Sequence, residues 1–193
     1  GIAYALDGIG IAVTLVETGA EAAIRARANL QNLFDEAVRR GKLTPEAAAA
    51  QAAGITVVTG YDALPPAQIA IEAAFEDMTV KRAIFAALDA ALPETTVLAT
   101  NTSYLDVNRI AEGIRHPDRL LGLHFFSPAH VMKLLEVIRA SATSDTTIAT
   151  ALRLAQRLKK LPVEAGVCDG FIGNRILTRY RQTTDILLLD EPT

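Results

Sequence analysis

The 193-residue sequence contains no tryptophan, two methionines, three histidines and one cysteine. Cys168 therefore has no internal partner. That excludes a disulfide framework and suits a reducing compartment. Aromatic residues make up only 5% of the chain, too few for a platform that stacks single-stranded nucleic acid. Neither sign of charge dominates: 19 basic and 22 acidic side chains leave −3. This excludes both the basic patch of a nucleic-acid binder and an acidic tail. Long apolar runs are also lacking. Val131–Leu135 is interrupted by Lys133, and nothing in it approaches the length needed to span a bilayer. No secretory leader is expected, since Gly1-Ile-Ala-Tyr has neither a charged segment nor a cleavage motif. The sequence starts without methionine and stops in an apolar run at Leu187-Leu-Leu-Asp-Glu-Pro-Thr, so it is expected to be part of a longer protein.

Hydrophobic residues, by contrast, make up 50% of the chain, enough for one ordinary domain with a real core. Two periodicities alternate. Short β-branched or aliphatic runs predict strands at Ile11–Val16, Ile55–Thr59, Gln68–Ile71, Thr96–Ala99, Leu120–His124, Leu134–Ile138 and Leu161–Val163. Helical spacing predicts helices at Ala20–Arg40, Pro45–Ala53, Val80–Ala91, Ser144–Lys159 and Phe171–Leu188. Thr44-Pro45-Glu46 and Ser144-Asp145 carry the capping hydroxyl and first-turn acid of helix starts. Strand and helix in alternation predict an α/β domain with a mostly parallel sheet. Such sheets bind ligands beyond the carboxyl ends of their strands, so the residues that follow each strand are the informative ones.

Glu17 follows the first predicted strand. In a dinucleotide-binding fold an acid here accepts hydrogen bonds from the adenosine ribose and repels a 2′-phosphate, favouring NAD over NADP. A solvated loop acid is the commoner use of the same residue. The glycine-rich turn that should precede it is not in the sequence. Gly1–Leu6 reads like the helix after such a turn, so the first strand and the phosphate cradle are expected to lie upstream. Glu72, Glu76, Asp77 and Lys81 follow the strand at Gln68–Ile71, either as an ordinary acidic helix start or with Glu76 and Lys81 facing a cofactor. Thr100-Asn-Thr-Ser103 offers hydroxyls to a ligand or a cap for the segment at Asp106. His124 closes an apolar strand, where a satisfied buried histidine is the bland reading. Glu136, however, lies mid-way in the next apolar run and is costly to bury alone. Pairing the two solves this. The carboxylate fixes the imidazole tautomer, and the other ring nitrogen exchanges a proton with substrate. Asn174, after Gly170-Phe-Ile-Gly173, is a surface amide or a donor aimed at the cleft. Cys168 reads as an inert, partly buried thiol.

Five stretches stand in one order: Ile71-Glu-Ala-Ala-Phe-Glu-Asp-Met-Thr-Val-Lys81, Thr100-Asn-Thr-Ser103, Gly122-Leu-His-Phe-Phe-Ser-Pro128, Val131-Met-Lys-Leu-Leu-Glu-Val-Ile138 and Gly170-Phe-Ile-Gly-Asn-Arg175. In order and spacing they resemble the 3-hydroxyacyl-CoA dehydrogenase family over nearly the whole chain. Phe126–Met132 and Gly166–Gly170 look closest to members fused to an enoyl-CoA hydratase in multifunctional β-oxidation enzymes.

The resemblance implies a Rossmann-like NAD-binding domain over 1–169, N-terminally incomplete, and the start of a helical second domain over 170–193. It implies oxidation of (S)-3-hydroxyacyl-CoA to 3-oxoacyl-CoA with NAD. His124 is then the general base, Glu136 its orienting partner, and Ser103 and Asn174 the donors to the reacting oxygens. Glu17 matches the ribose acid, and Ala73, Glu76, Lys81, Ser103 and Ser127 match cofactor-contacting positions. Ser127 departs from the asparagine that single-function members more often carry. The implied partners are an acyl-CoA and either a fused hydratase or a second copy of the chain, with no nucleic acid, membrane span or metal. The implied compartment is bacterial cytoplasm, mitochondrial matrix or peroxisome. Three alternatives stay open: another two-domain NAD-dependent hydroxyacid dehydrogenase, which generally uses a lysine instead of a His–Glu pair; a non-catalytic, crystallin-like relative; and an inactive fragment.

Overall fold

The computed structural model describes residues 1–62 and 64–189, so Asp190–Thr193, part of the expected second-domain segment, lie outside it. The elements run α1 (Ile2–Asp7), β1 (Val13–Glu17), α2 (Ala20–Arg39), α3 (Pro45–Ala52), β2 (Ile55–Thr59), β3 (Ile69–Glu72), α4 (Met78–Ala91), β4 (Val97–Thr100), α5 (Val107–Ala111), β5 (Leu120–Phe125), β6 (Leu134–Arg139), α6 (Asp145–Arg157), β7 (Leu161–Gly166) and α7 (Gly173–Leu189). The predicted mixed α/β architecture is what forms. β1 and β2 pair in parallel as one sheet, and a second sheet has the order β3-β4-β5-β6-β7. Every ladder is parallel except β5–β6. The connection Phe126–Lys133 explains that exception, because a parallel crossover needs roughly a dozen residues or more. β1 and β3 are both sheet edges, yet Val13, Ile69 and Ile71 pack against the same core.

Local chemistry sets the helix starts. Thr44 Oγ1 accepts from Ala47 N at the start of α3, Asp77 Oδ1 from Val80 N at α4 and Ser144 Oγ from Thr147 N at α6. Strand alternation then divides the second sheet into two faces. Val97, Ala99, Leu121, Leu123, Phe125, Leu135 and Val137 pack under α6. Leu98, Leu120 and Ile138 face Phe85 and Leu88 of α4 and Ile110 of α5. Each large apolar side chain buried this way contributes about 1.5–3 kcal/mol. Gly122 belongs to the α4/α5 face because an added Cβ there would sit 2.8 Å from Ile138 Cβ. The same alternation points the polar residues at Glu72, Thr100, His124 and Glu136 to the α4/α5 face. Three of them stand at or next to the carboxyl ends of their strands.

Candidate active site

His124 and Glu136 are directly opposed across the antiparallel β5–β6 ladder, a register in which neighbouring side chains stand on one face. His124 Nδ1 lies 2.7 Å from Glu136 Oε2. Glu136 is 0% exposed, and its other oxygen is equally occupied: Oε1 accepts from Ile172 N at 3.0 Å and Gly173 N at 2.7 Å. A carboxylate with both oxygens satisfied tolerates burial that an unpaired one does not. With Nδ1 donating to the acid, the second nitrogen, Nε2, is left with a lone pair. Among the described residues Nε2 makes no hydrogen bond, and the His124 side chain keeps 6% of its surface exposed. Phe126 and Phe171 flank the ring, with centroids 4.5 and 5.9 Å away.

The loops after β3 and β4 are locked together beside this pair. Lys81 is 1% exposed, and its Nζ donates to Glu72 Oε1 and Oε2 at 2.8 and 2.9 Å. It also reaches Glu76 Oε2 at 3.3 Å. Glu72 further accepts from Thr100 Oγ1 at 2.7 Å and Ala74 N at 2.6 Å. Glu76 Oε1 accepts from Thr102 Oγ1, Ser103 N and Tyr104 N at 2.5, 2.8 and 3.0 Å. Burial works against the Glu76 carboxylate, but these donors and the Lys81 ammonium outweigh it and hold its pKa below the ordinary range. Asp77, not Glu76, starts the helix. Of the polar run 100–103, Thr100 and Thr102 are consumed by the two acids, and Asn101 Oδ1 accepts from Phe125 N at 2.8 Å. The Ser103 hydroxyl makes no hydrogen bond among the described residues. Asn174 Nδ2 donates to Ser103 O at 3.4 Å, so α7 and the β4 loop meet. Ser127 is exposed at the end of β5, and Ala73 is exposed after β3. Cys168 is partly buried, with Sγ 3.4 Å from Phe171 O.

These features test whether a dinucleotide fits. Glu17 ends β1, half-buried and without a hydrogen bond or ion pair among the described residues, so its carboxylate is free to accept. Ala73 is exposed just beyond β3, and the Ser103 hydroxyl is unbonded among the described residues. The residues present fit NAD. Lys81, expected to contact the cofactor, is instead buried, with its ammonium taken up by Glu72 and Glu76.

The family model described as 3-hydroxyacyl-CoA dehydrogenase, NAD binding domain, matches residues 1–168. The chain belongs to that family. A peroxisomal bifunctional enzyme of Cavia porcellus is 50% identical over 127 residues, which is 66% of this chain and 18% of the relative. The fatty acid oxidation complex subunit alpha of Acinetobacter baylyi is 35% identical over 190 residues, 98% of this chain and 26% of the relative. The crystal structure of 3-hydroxybutyryl-CoA dehydrogenase from Escherichia coli superposes with a TM-score of 0.90 at 38% identity, covering 94% of this chain and 39% of that one. The chain thus spans about a quarter or less of the length of these curated relatives. It is thus an NAD-binding domain of the 3-hydroxyacyl-CoA dehydrogenase family, with the mostly parallel α/β fold that the five motifs implied. Among the described residues no helix is long and apolar enough to cross a membrane, and no cluster of three or more histidine, cysteine or acidic residues suits a metal ion.

Sequence reasoning gave no individual role to Glu72, Asn101 or Phe126, and none to the peptide N–H groups of Ile172 and Gly173. Glu72 had a signal, a charged residue closing an apolar strand. The backbone donors had none, because a peptide N–H is the same at every residue that is not proline.

Proposed function

We propose that the parent protein oxidises (S)-3-hydroxyacyl-CoA to 3-oxoacyl-CoA reversibly, with this domain binding NAD and supplying the base. The observation that carries the reading is the 2.7 Å contact from His124 Nδ1 to Glu136, which leaves Nε2 without a partner among the described residues. NAD, when bound, supplies the hydride acceptor. His124 Nε2 takes the proton of the substrate 3-hydroxyl, and Glu136 holds the ring in the required tautomer and stabilises the imidazolium. The Ser103 hydroxyl and the Asn174 amide donate to the reacting oxygen. Glu17 takes the ribose hydroxyls, and Ala73, Glu76, Ser103 and Ser127 line the cofactor's other half. Lys81 holds Glu76 in place.

The boundary is proposed near 169, with 170–193 opening a second, helical domain. The names of the bifunctional relatives support a fused hydratase, and the reading accommodates a homo-oligomer equally. Bacterial cytoplasm, peroxisome and mitochondrial matrix all fit the chemistry. The test is His124→Gln in the full-length protein, assayed with acetoacetyl-CoA and NADH. Turnover is expected to fall about 10²–10⁴-fold, the usual worth of a placed base, with NAD affinity retained. Near-normal turnover in the variant, or none in the wild type, would overturn the reading.

A further inference from the structure

The turn that leads into α7 makes contacts that its role as a connector does not require. Gly170 and Phe171 sit at φ +65 and +48, and a left-handed Phe is uncommon. Such strain persists only where the surroundings over-determine it. Here the Phe171 ring is 1% exposed and lies against His124, while Arg175 N closes the turn on Gly170 O at 3.0 Å. The result is two consecutive peptide N–H groups, of Ile172 and Gly173, aimed at one oxygen of Glu136. The turn can come this close only because residue 173 has no side chain: an added Cβ would stand 2.6 Å from Phe126 Cζ. The next residue, Asn174, reaches the Ser103 loop.

We propose that the α7 entry turn is the positioning element of the His124–Glu136 pair, with Gly173 as its key residue. Two donors on Oε1 fix the rotation of the carboxylate, so that Oε2 alone faces Nδ1. The proton then resides on Nδ1, and the lone pair on Nε2. Placement of α7 thereby sets the state of the base, and through Asn174 the same turn sets the oxygen-binding side of the cleft. The inference deepens the dehydrogenase reading and rests on it for the effect on turnover, but not for the effect on the ring.

The experiment compares wild type, Gly173→Ala, Phe126→Leu and the double variant in the full-length protein. The readouts are ring-nitrogen NMR of His124 and steady-state kinetics with acetoacetyl-CoA and NADH. Wild type is expected to show a single neutral tautomer protonated at Nδ1. In Gly173→Ala the turn and the Phe126 ring must move apart, which is expected to draw the two N–H groups off Glu136. The ring then becomes a mixture of tautomers and kcat drops about 10²-fold, the loss that a roughly 1 Å misplacement brings, with KM little changed. Leucine at 126 makes room, so the double variant is expected to recover the wild-type ring signals and the turnover of Phe126→Leu alone. This arm decides the matter if Gly173→Ala by itself folds poorly. A Gly173→Ala ring that keeps the Nδ1 tautomer, or a double variant that folds without recovering it, would overturn the inference. Wild type that shows the expected tautomer but no turnover would sink the dehydrogenase reading instead.

Discussion

Replacing Glu136 by Gln tests the pair with almost no change in shape. The fully buried carboxylate accepts three hydrogen bonds: one from His124 and two from the α7 turn. Glutamine has one accepting end and one donating end, so two arrangements compete. Turning its NH₂ toward Ile172 N and Gly173 N sets donor against donor twice, and each buried donor left without an acceptor costs about 1–3 kcal/mol. Turning its carbonyl oxygen that way keeps both bonds and presents NH₂ to the imidazole. This second arrangement wins. It requires Nδ1 to accept, so the ring proton moves to Nε2, where it blocks the nitrogen that takes the substrate proton. The expected loss is the whole base contribution, about 10²–10⁴ in kcat, or about 2.7–5.5 kcal/mol of transition-state stabilisation. The assay is oxidation of a 3-hydroxyacyl-CoA by the full-length protein across a pH series, with circular dichroism to check the fold. Raising the pH should not rescue the variant, because the fault is which nitrogen holds the proton. Activity within about tenfold of wild type, or a return to wild-type rates at high pH, would refute the reasoning.

Two further outcomes follow from other parts of the domain. Glu17→Ala removes the free carboxylate at the end of β1. It is expected to weaken NAD by about tenfold, the scale of one hydrogen bond to a charged group, and to narrow the preference over NADP; calorimetric titration showing an unchanged NAD affinity would take Glu17 out of the site. Asp89 is buried, which disfavours its charge, but hydrogen bonds from Arg115 (2.9 Å to Nε, 3.3 Å to the backbone N) and from Arg119 outweigh burial and hold its pKa below the ordinary range. A pKa depressed on folding adds stability above the unfolded value of about 3.9 and loses it as pH falls through the folded value. Asp89→Asn is therefore expected to melt lower at neutral pH and to show a flatter fall in Tm below about pH 4; an acid slope matching wild type would contradict this.

How much of this was legible in the sequence depends on what each feature is made of. The β-branched run Ile55–Thr59 became a strand with those same bounds, since its neighbours are turn residues on both sides. The other strands moved by a few residues at most, with β7 running on to Gly166 past its apolar part. Helix α5 (Val107–Ala111) went unpredicted because five residues give too little periodicity, although its cap, Asp106 accepting from Asn108 N, is present in the sequence. The closeness of His124 and Glu136 was legible through burial cost, since a lone Glu in an apolar run demands a partner. Their face-to-face register on an antiparallel ladder was less so: its one local signal is the short link Phe126–Lys133, which rules out a parallel crossover. The enclosure of Lys81 was invisible, because lysine in a helix start reads as solvated until Glu72, twenty-eight positions before Thr100 and nine before Lys81, folds over it.

The central claim is that His124 Nε2 meets the substrate oxygen carried by the carbon that is oxidised. The most direct measurement is a crystal structure of the full-length protein with NAD and acetoacetyl-CoA. The 3-oxygen is expected within about 2.6–3.2 Å of His124 Nε2, with Glu136 still on Nδ1. An acyl chain seated away from that nitrogen, or a ring turned so that Nε2 faces the core, would contradict the account.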